Sequence, residues 1–164
     1  MKSSDICSAL AYMFTELPST LRYLETLSLT SEELKRATVP NRLGLNFLYL
    51  RHVRLELNFV FLGFGADVLD LACLLQAAPI MEKLETHMLM DHKLRRYDGE
   101  LRSLPSHPHS HLNLVSITVF YGQKAQLELA LHILRNSATL KAMKIDPKPT
   151  VAGIHGSLFM KDGL

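Results

Sequence analysis

Apolar residues recur along this chain with the spacing apolar-x-x-apolar-x-apolar: Leu24/Leu27/Leu29, Leu50/Val53/Leu55, Met81/Leu84, Leu112/Val115/Ile117 and Leu140/Met143/Ile145. The third copy closes on Thr86. The last positions of each copy alternate as in a strand with one buried face, so the pattern predicts five short strands. Their first positions, 24, 50, 81, 112 and 140, lie 26, 31, 31 and 28 residues apart. Leucine is abundant, so a single match to this spacing means little. Five matches at near-even intervals, with turn or helix signals between them, describe a repeat.

Longer blocks align as well. LLQAAPIMEKLETHM (74–88) lies over ILRNSATLKAMKIDP (133–147) at an offset of 59, and LRHVRLEL (50–57) lies over LNLVSITV (112–119) at an offset of 62. A strand-helix-strand unit therefore occurs twice, with a loop difference of three residues between the two offsets. In the first unit Asp67 is expected to cap a helix through Val68, Leu71, Ala72, Leu74 and Leu75. That helix ends before Pro79, because the residue ahead of a proline avoids the helical region. Gln123 to Asn136 gives the matching helix, with Leu127, Leu131, Ile133 and Leu134 expected inward and Arg135 near the negative end of the dipole. Ser31, with Glu32 and Glu33, is expected to open a short helix that stops at Pro40, and a further helix over 4–16 ends before Pro18. From Pro147 onward proline and glycine displace the periodicity.

Intervals of 26 to 31 residues lie close to the roughly 20 to 29 of leucine-rich repeats and reach slightly beyond it. In such a unit neither strand nor helix buries its apolar side without a stacked neighbour. Strands are narrower than helices, roughly 4.8 Å against 10 Å, so the stack curves with its strands on the inner side. The expected fold is α/β, a leucine-rich-repeat solenoid arc of about five short parallel strands with helices or loops on the convex side. It spans residues 1–147, and an irregular tail covers 148–164. Residues between the buried positions face outward: Thr26 and Ser28, then His52, Arg54 and Glu56, then Lys83, Glu85 and His87, then Ser116 and Thr118, then Ala142 and Lys144. Each alone is an ordinary solvated strand residue. As a set of mixed charge, His52, Arg54, Glu56, Lys83, Glu85, His87, Ser116, Thr118 and Lys144 form the expected partner-binding face.

Composition narrows the possible partners. A chain of 164 residues with 48% hydrophobic and 21% charged residues suits one folded domain and excludes general disorder. Eighteen basic against sixteen acidic residues leave a net charge of +2, too even to steer the whole molecule onto nucleic acid or an anionic membrane. The most apolar stretch, 57–80, is broken by Asn58, Asp67, Asp70 and Gln76, short of the ~20 residues a membrane span needs. Asp5 ahead of the first apolar run argues against a signal peptide. Cys7 and Cys73 are too few for a disulfide scaffold and are expected as buried thiols in a reducing compartment, cytoplasm or nucleus.

Candidate chemistry is sparse. His107, His109 and His111 alternate, and imidazoles suit zinc, which raises a metal-dependent hydrolase as a reading from another class. Pro105 and Pro108 make the segment a loop and no cysteine lies nearby, so an exposed linker is expected instead. His52 and His87 face the same surface without a third ligand. Gly63-Phe64-Gly65 lacks the third glycine of a dinucleotide fingerprint, and Gly156-Ser157 lacks a nucleophile elbow. Lys93, Arg95, Arg96 and Arg102 are diluted by Asp91, Asp98 and Glu100, which leaves a solvated loop. No catalytic residue, metal or cofactor is assigned.

The segment FYGQKAQLELALHILRNSATLKAMKIDP (120–147) resembles the C-terminal repeats of plant F-box proteins with leucine-rich repeats and FBD-like ends. AYMFTELPSTLRYLETLSL and FLYLRHVRLEL resemble preceding repeats of the same family, so the resemblance covers roughly residues 5–155. It implies a non-enzymatic protein-interaction module, presenting a protein substrate for ubiquitin transfer by a cullin-type ligase. In that family an N-terminal F-box contacts a Skp-type adaptor. LPSTLRYLETL aligns with the repeats and is no F-box, so an adaptor is expected only through an upstream F-box. The alternative is a truncated structural or scaffold repeat protein with no ligase role.

Overall fold

The computed structural model describes residues 17–31, 47–58, 70–89, 100–103 and 105–147. In chain order these form helix α1 (Leu17–Thr20), strands β1 (Thr26–Ser31) and β2 (His52–Asn58), helix α2 (Asp70–Ala77), strands β3 (Lys83–Leu89) and β4 (Leu114–Phe120), helix α3 (Lys124–Asn136) and strand β5 (Ala142–Pro147). The expected helices over 4–16 and after Ser31, the tail 148–164, Cys7, Asp67, Gly63-Phe64-Gly65, Lys93, Arg95 and Arg96 lie outside the described residues. Ser31 itself ends β1, and Pro18 sits inside α1. A proline is tolerated there because the first turn of a helix has no use for its missing N–H.

All five strands are parallel and pair in sequence order. The register runs unshifted across the sheet as far as Ile117, so Leu27, Val53, Leu84, Val115 and Met143 share one row, and Leu29, Leu55, Thr86, Ile117 and Ile145 share the next. These are the second and third positions of the sequence repeat. Its framework is a recurring backbone bond: the carbonyls of Glu25, Arg51, Glu82 and Asn113 each accept two successive N–H groups at the start of the next strand, at 2.8 to 3.2 Å. The strands therefore cannot slip by one residue without losing both bonds and turning the apolar row outward.

Burial follows the stacking. Leu50, Val53, Leu55 and Ile117 are fully buried, and Met81, Leu84, Leu112 and Val115 nearly so. Toward the edges Leu24, Leu27, Leu29, Leu140 and Met143 are only partly buried, and Ile145 remains 40% exposed. An inner repeat is covered on both sides and an outer one on a single side. Thr86 fits the apolar row because its hydroxyl donates to the Ser116 carbonyl at 3.5 Å.

The doubled unit reappears in the bonding. Phe47 N–H donates to the Ala77 carbonyl and His109 N–H to the Asn136 carbonyl, both at 2.7 Å. The donors are 62 residues apart and the acceptors 59, the two offsets that align the sequence blocks.

Helix α3 corrects the expected inward face. Ile133 is fully buried, but Leu127 and Leu134 are 38% and 53% exposed, while Gln126, Leu129, Glu128, Ala130 and His132 point inward. Gln126 is held by the turn it covers: its Oε1 accepts Tyr121 N–H at 2.8 Å and its Nε2 donates to the Val119 carbonyl at 3.3 Å. That turn follows a register irregularity between Ile117 and Phe120, with Val119 at φ 60. A β-branched residue rarely adopts the left-handed region, so the turn is strained and the glutamine fixes it in place. Cys73, expected buried, is half-buried on α2.

Leu55→Ala should lower unfolding free energy by about 3 kcal/mol, the cost of a large-to-small change in a closed core. Ile145→Ala, on the same row but exposed, should cost less than about 1 kcal/mol. Urea melts of the two variants measure the difference, and Ile117→Asp should abolish the cooperative melt altogether.

Candidate functional site: the polar strand face

Side chains opposite the core form three rows across the sheet. The first holds Thr26, His52, Lys83, Leu114 and Ala142, the second Ser28, Arg54, Glu85, Ser116 and Lys144, and the third Thr30, Glu56, His87 and Thr118. Every residue expected on the binding face lies in one of these rows. His52 and His87, however, fall in different rows, and among the described residues no group of three or more His, Cys, Asp or Glu side chains is placed to hold a metal.

Charges on this face are paired within it. Arg54 and Glu56, two apart on β2, bond at 2.7 Å. Glu85 accepts from Lys83 on its own strand and lies 3.2 Å from His52 Nε2 on β2. Lys144 and Asp146 pair at 3.2 Å on β5. Beside the first row Arg51 bonds Glu82 across strands. Hydrogen bonding to Arg54, then its charge, holds the Glu56 carboxyl below its ordinary range, and the Lys83 hydrogen bond does the same for Glu85. Both acids thus stay ionised well below neutrality.

A shallow depression of about 350 Å³ opens at the centre, lined by Arg54, Leu55, Glu85, Thr86, His87, Ser116 and Thr118. His87 Nδ1 and Thr118 Oγ1 are 2.9 Å apart at its rim, and the Thr118 hydroxyl donates to the Thr86 carbonyl at 3.2 Å. Leu55 and Thr86, whose side chains turn into the core, contribute main chain to its floor, and the walls carry both charges and hydroxyls, a surface suited to holding polar groups of a partner. Strand alternation carried two steps further would have added Thr30, whose hydroxyl lies 3.5 Å from Glu56, and Leu114, 44% exposed.

Two expectations hold only in part on the opposite side. In the histidine segment Pro105, Ser106, Pro108, Ser110 and His111 are exposed, but His109 is buried and His107 half-buried where the loop bonds the end of α3. Arg102 lies at the surface, as expected, but it is not merely solvated. Its backbone N–H and guanidinium hold Glu128, whose side chain is fully buried, at 2.6 to 3.0 Å, and Lys124 lies 3.9 Å from the same carboxylate. Burial alone pushes the Glu128 carboxyl up, and the Arg102 bonds bring it below the ordinary value of 4.5.

The family model described as At1g61320/AtMIF1, LRR domain, matches residues 1–157. No curated protein and no solved structure matches the chain. Among the described residues no helix is long and apolar enough to cross a membrane.

Arg102→Ala should destabilise the fold by about 2 kcal/mol at pH 7, since it strands a buried acceptor. The wild-type carboxyl, depressed in the fold, contributes stability above about pH 4.5 that is lost as pH falls. In the variant burial raises the same carboxyl, so its deficit against wild type should shrink in melts taken below that pH.

Proposed function

The chain belongs to the plant At1g61320/AtMIF1 leucine-rich-repeat family, and from that premise we propose that it is a non-catalytic protein-interaction module, a solenoid arc that docks a protein partner on its polar strand face. The observation that carries the reading is the shared register of the outward rows, two running over all five strands and the third over β1 to β4, with the depression at their centre. A surface of many shallow, internally paired charges has little reach for a small substrate. It suits a partner that replaces those pairs one by one over a broad contact. Arg54, Lys83 and Lys144 alternate with Glu56, Glu85 and Asp146, so the complementary partner carries both signs.

Within that reading the partner is a substrate held for ubiquitin transfer by a cullin-type ligase, as the sequence resemblance to plant F-box repeat proteins implies. A Skp-type adaptor joins only through an F-box supplied upstream. Supporting this is the division of labour in the molecule: the buried rows maintain the scaffold, and the charged side chains of the outward rows pair with one another on the exposed face.

Arg54→Glu with Lys83→Glu should leave the melting temperature within about 3 °C of wild type, since exposed pairs contribute little. The same double variant should weaken binding to a partner identified by cross-linking at least tenfold in titration calorimetry; unchanged affinity moves the docking site elsewhere. Co-purification with a Skp-type adaptor is expected only from a chain extended to include an F-box, and ligase-independent binding by both forms would leave the docking role and remove the ubiquitin link.

A further inference from the structure

The segment ahead of β4 is fastened to the C-terminal turn of α3 by Asn136, through its side chain and its main-chain carbonyl. Asn136 Oδ1 accepts the Ser106 hydroxyl at 2.8 Å and the His107 N–H at 3.0 Å, while its carbonyl accepts the His109 N–H at 2.7 Å. The two donors on Oδ1 fix the amide the other way round at Nδ2. There it donates to the His132 carbonyl at 2.8 Å and faces the His132 ring Nδ1 at 3.3 Å. Nδ1 must then accept, so the neutral His132 ring carries its proton on Nε2.

Three imidazoles gather at this point. The rings of His107 and His109 are 5.5 Å apart, and those of His109 and His132 are 5.7 Å apart and edge-on. His109 and His132 are 6% and 5% exposed, and the Nε2 atoms of both, with the Ser137 hydroxyl, have no hydrogen-bond partner. Among the described residues a positive charge here finds no free carboxylate to meet it. The other charged or titratable groups on the packed elements are Glu100, Arg102 and His111 on the segment, Lys124, Glu128 and Arg135 on α3, and Lys141 beyond it. Glu128 is already bound by Arg102 and approached by Lys124, and Glu100 is exposed.

We propose that His107, His109, His132 and Asn136 form a proton-released clasp, which holds residues 105–111 on α3 while its imidazoles are neutral and lets that segment detach on acidification, ahead of any loss of strands β2 and β3. The geometry favours the neutral rings, and burial acts in the same direction. Burial, then the charges of His132 and His107, push His109 from 6.5 to about 4, and burial followed by His107 lowers His132. A histidine depressed in the closed state contributes stability that is complete above its ordinary value and lost as pH falls toward the closed one. For His109 alone the closing equilibrium weakens by roughly thirtyfold between pH 7.5 and 5. The released segment leads directly into β4, which carries Ser116 and Thr118. The clasp stands independently of the docking reading.

Amide hydrogen exchange of the full chain at pH 7.5 and 5.0, corrected for intrinsic rates, tests it. Protection of the amides between 106 and 111 should fall at least tenfold on acidification while those of 84–88 keep theirs. His109→Phe should reduce the acid-induced loss to less than about threefold, and Asn136→Ala should open the segment at both pH values. If a variant fails to fold, the wild-type comparison decides alone. Equal protection at both pH values, or loss from 84–88 in parallel, overturns the clasp. So does a rise in protection at 106–111 on adding one equivalent of zinc at pH 7.5, which would assign the imidazoles to a metal.

Discussion

A parallel strand gets no hydrogen-bond partner from its own turn, so each strand in this sheet depends on the one before it for register. The carbonyls of Glu25, Arg51, Glu82 and Asn113, each taking two N–H groups from the following strand, are the physical form of that dependence. They fix the starting residue of every strand, and with it the side to which each later residue points. The apolar rows through Leu55 and Ile117 and the polar rows through Arg54 and Glu85 are two results of the same bonds. Scaffold and candidate docking face cannot be altered independently by sliding a strand, only by changing side chains in place.

The strand arrangement was readable because it rests on local spacing. Alternation placed His52, Arg54, Glu56, Lys83, Glu85, His87, Ser116, Thr118 and Lys144 on one side, and the 59 and 62 offsets reappear as equivalent backbone bonds. The helix packing was not readable in the same way. An apolar stripe on α3 favours Leu127 and Leu134, yet the buried side takes in Gln126, Glu128 and His132. Those polar groups are tolerated only because partners arrive from residues far along the chain: Arg102 is 26 positions from Glu128, and Ser106 is 30 from Asn136. Helical periodicity counts apolar positions and is blind to a loop that supplies a guanidinium or a hydroxyl. The same blindness made the histidine loop look like a linker.

The side of the molecule away from the strand face therefore carries a polar network within its core. Arg102 with Glu128, Asn136 with the histidine segment, and Gln126 with the turn at Val119 bind three pieces of irregular chain to one helix. Such groups are costly if half-satisfied, so α3 and the loops around it have one good arrangement rather than several. This supplies order where the apolar content of the loops is low. The strain at Val119 is sustained by the same helix, one residue beyond the polar row that ends on Thr118.

The pairing of Phe47 with Ala77 and of His109 with Asn136 has a consequence for how such an array changes in length. The motif that ties a connecting loop to a helix end recurs once per two strands, so the heritable module is about sixty residues long. Insertion or loss of a whole module keeps every loop facing the helix terminus it was fitted to. Cutting between such a loop and its helix would leave the Phe47 or His109 N–H without the carbonyl it was fitted to.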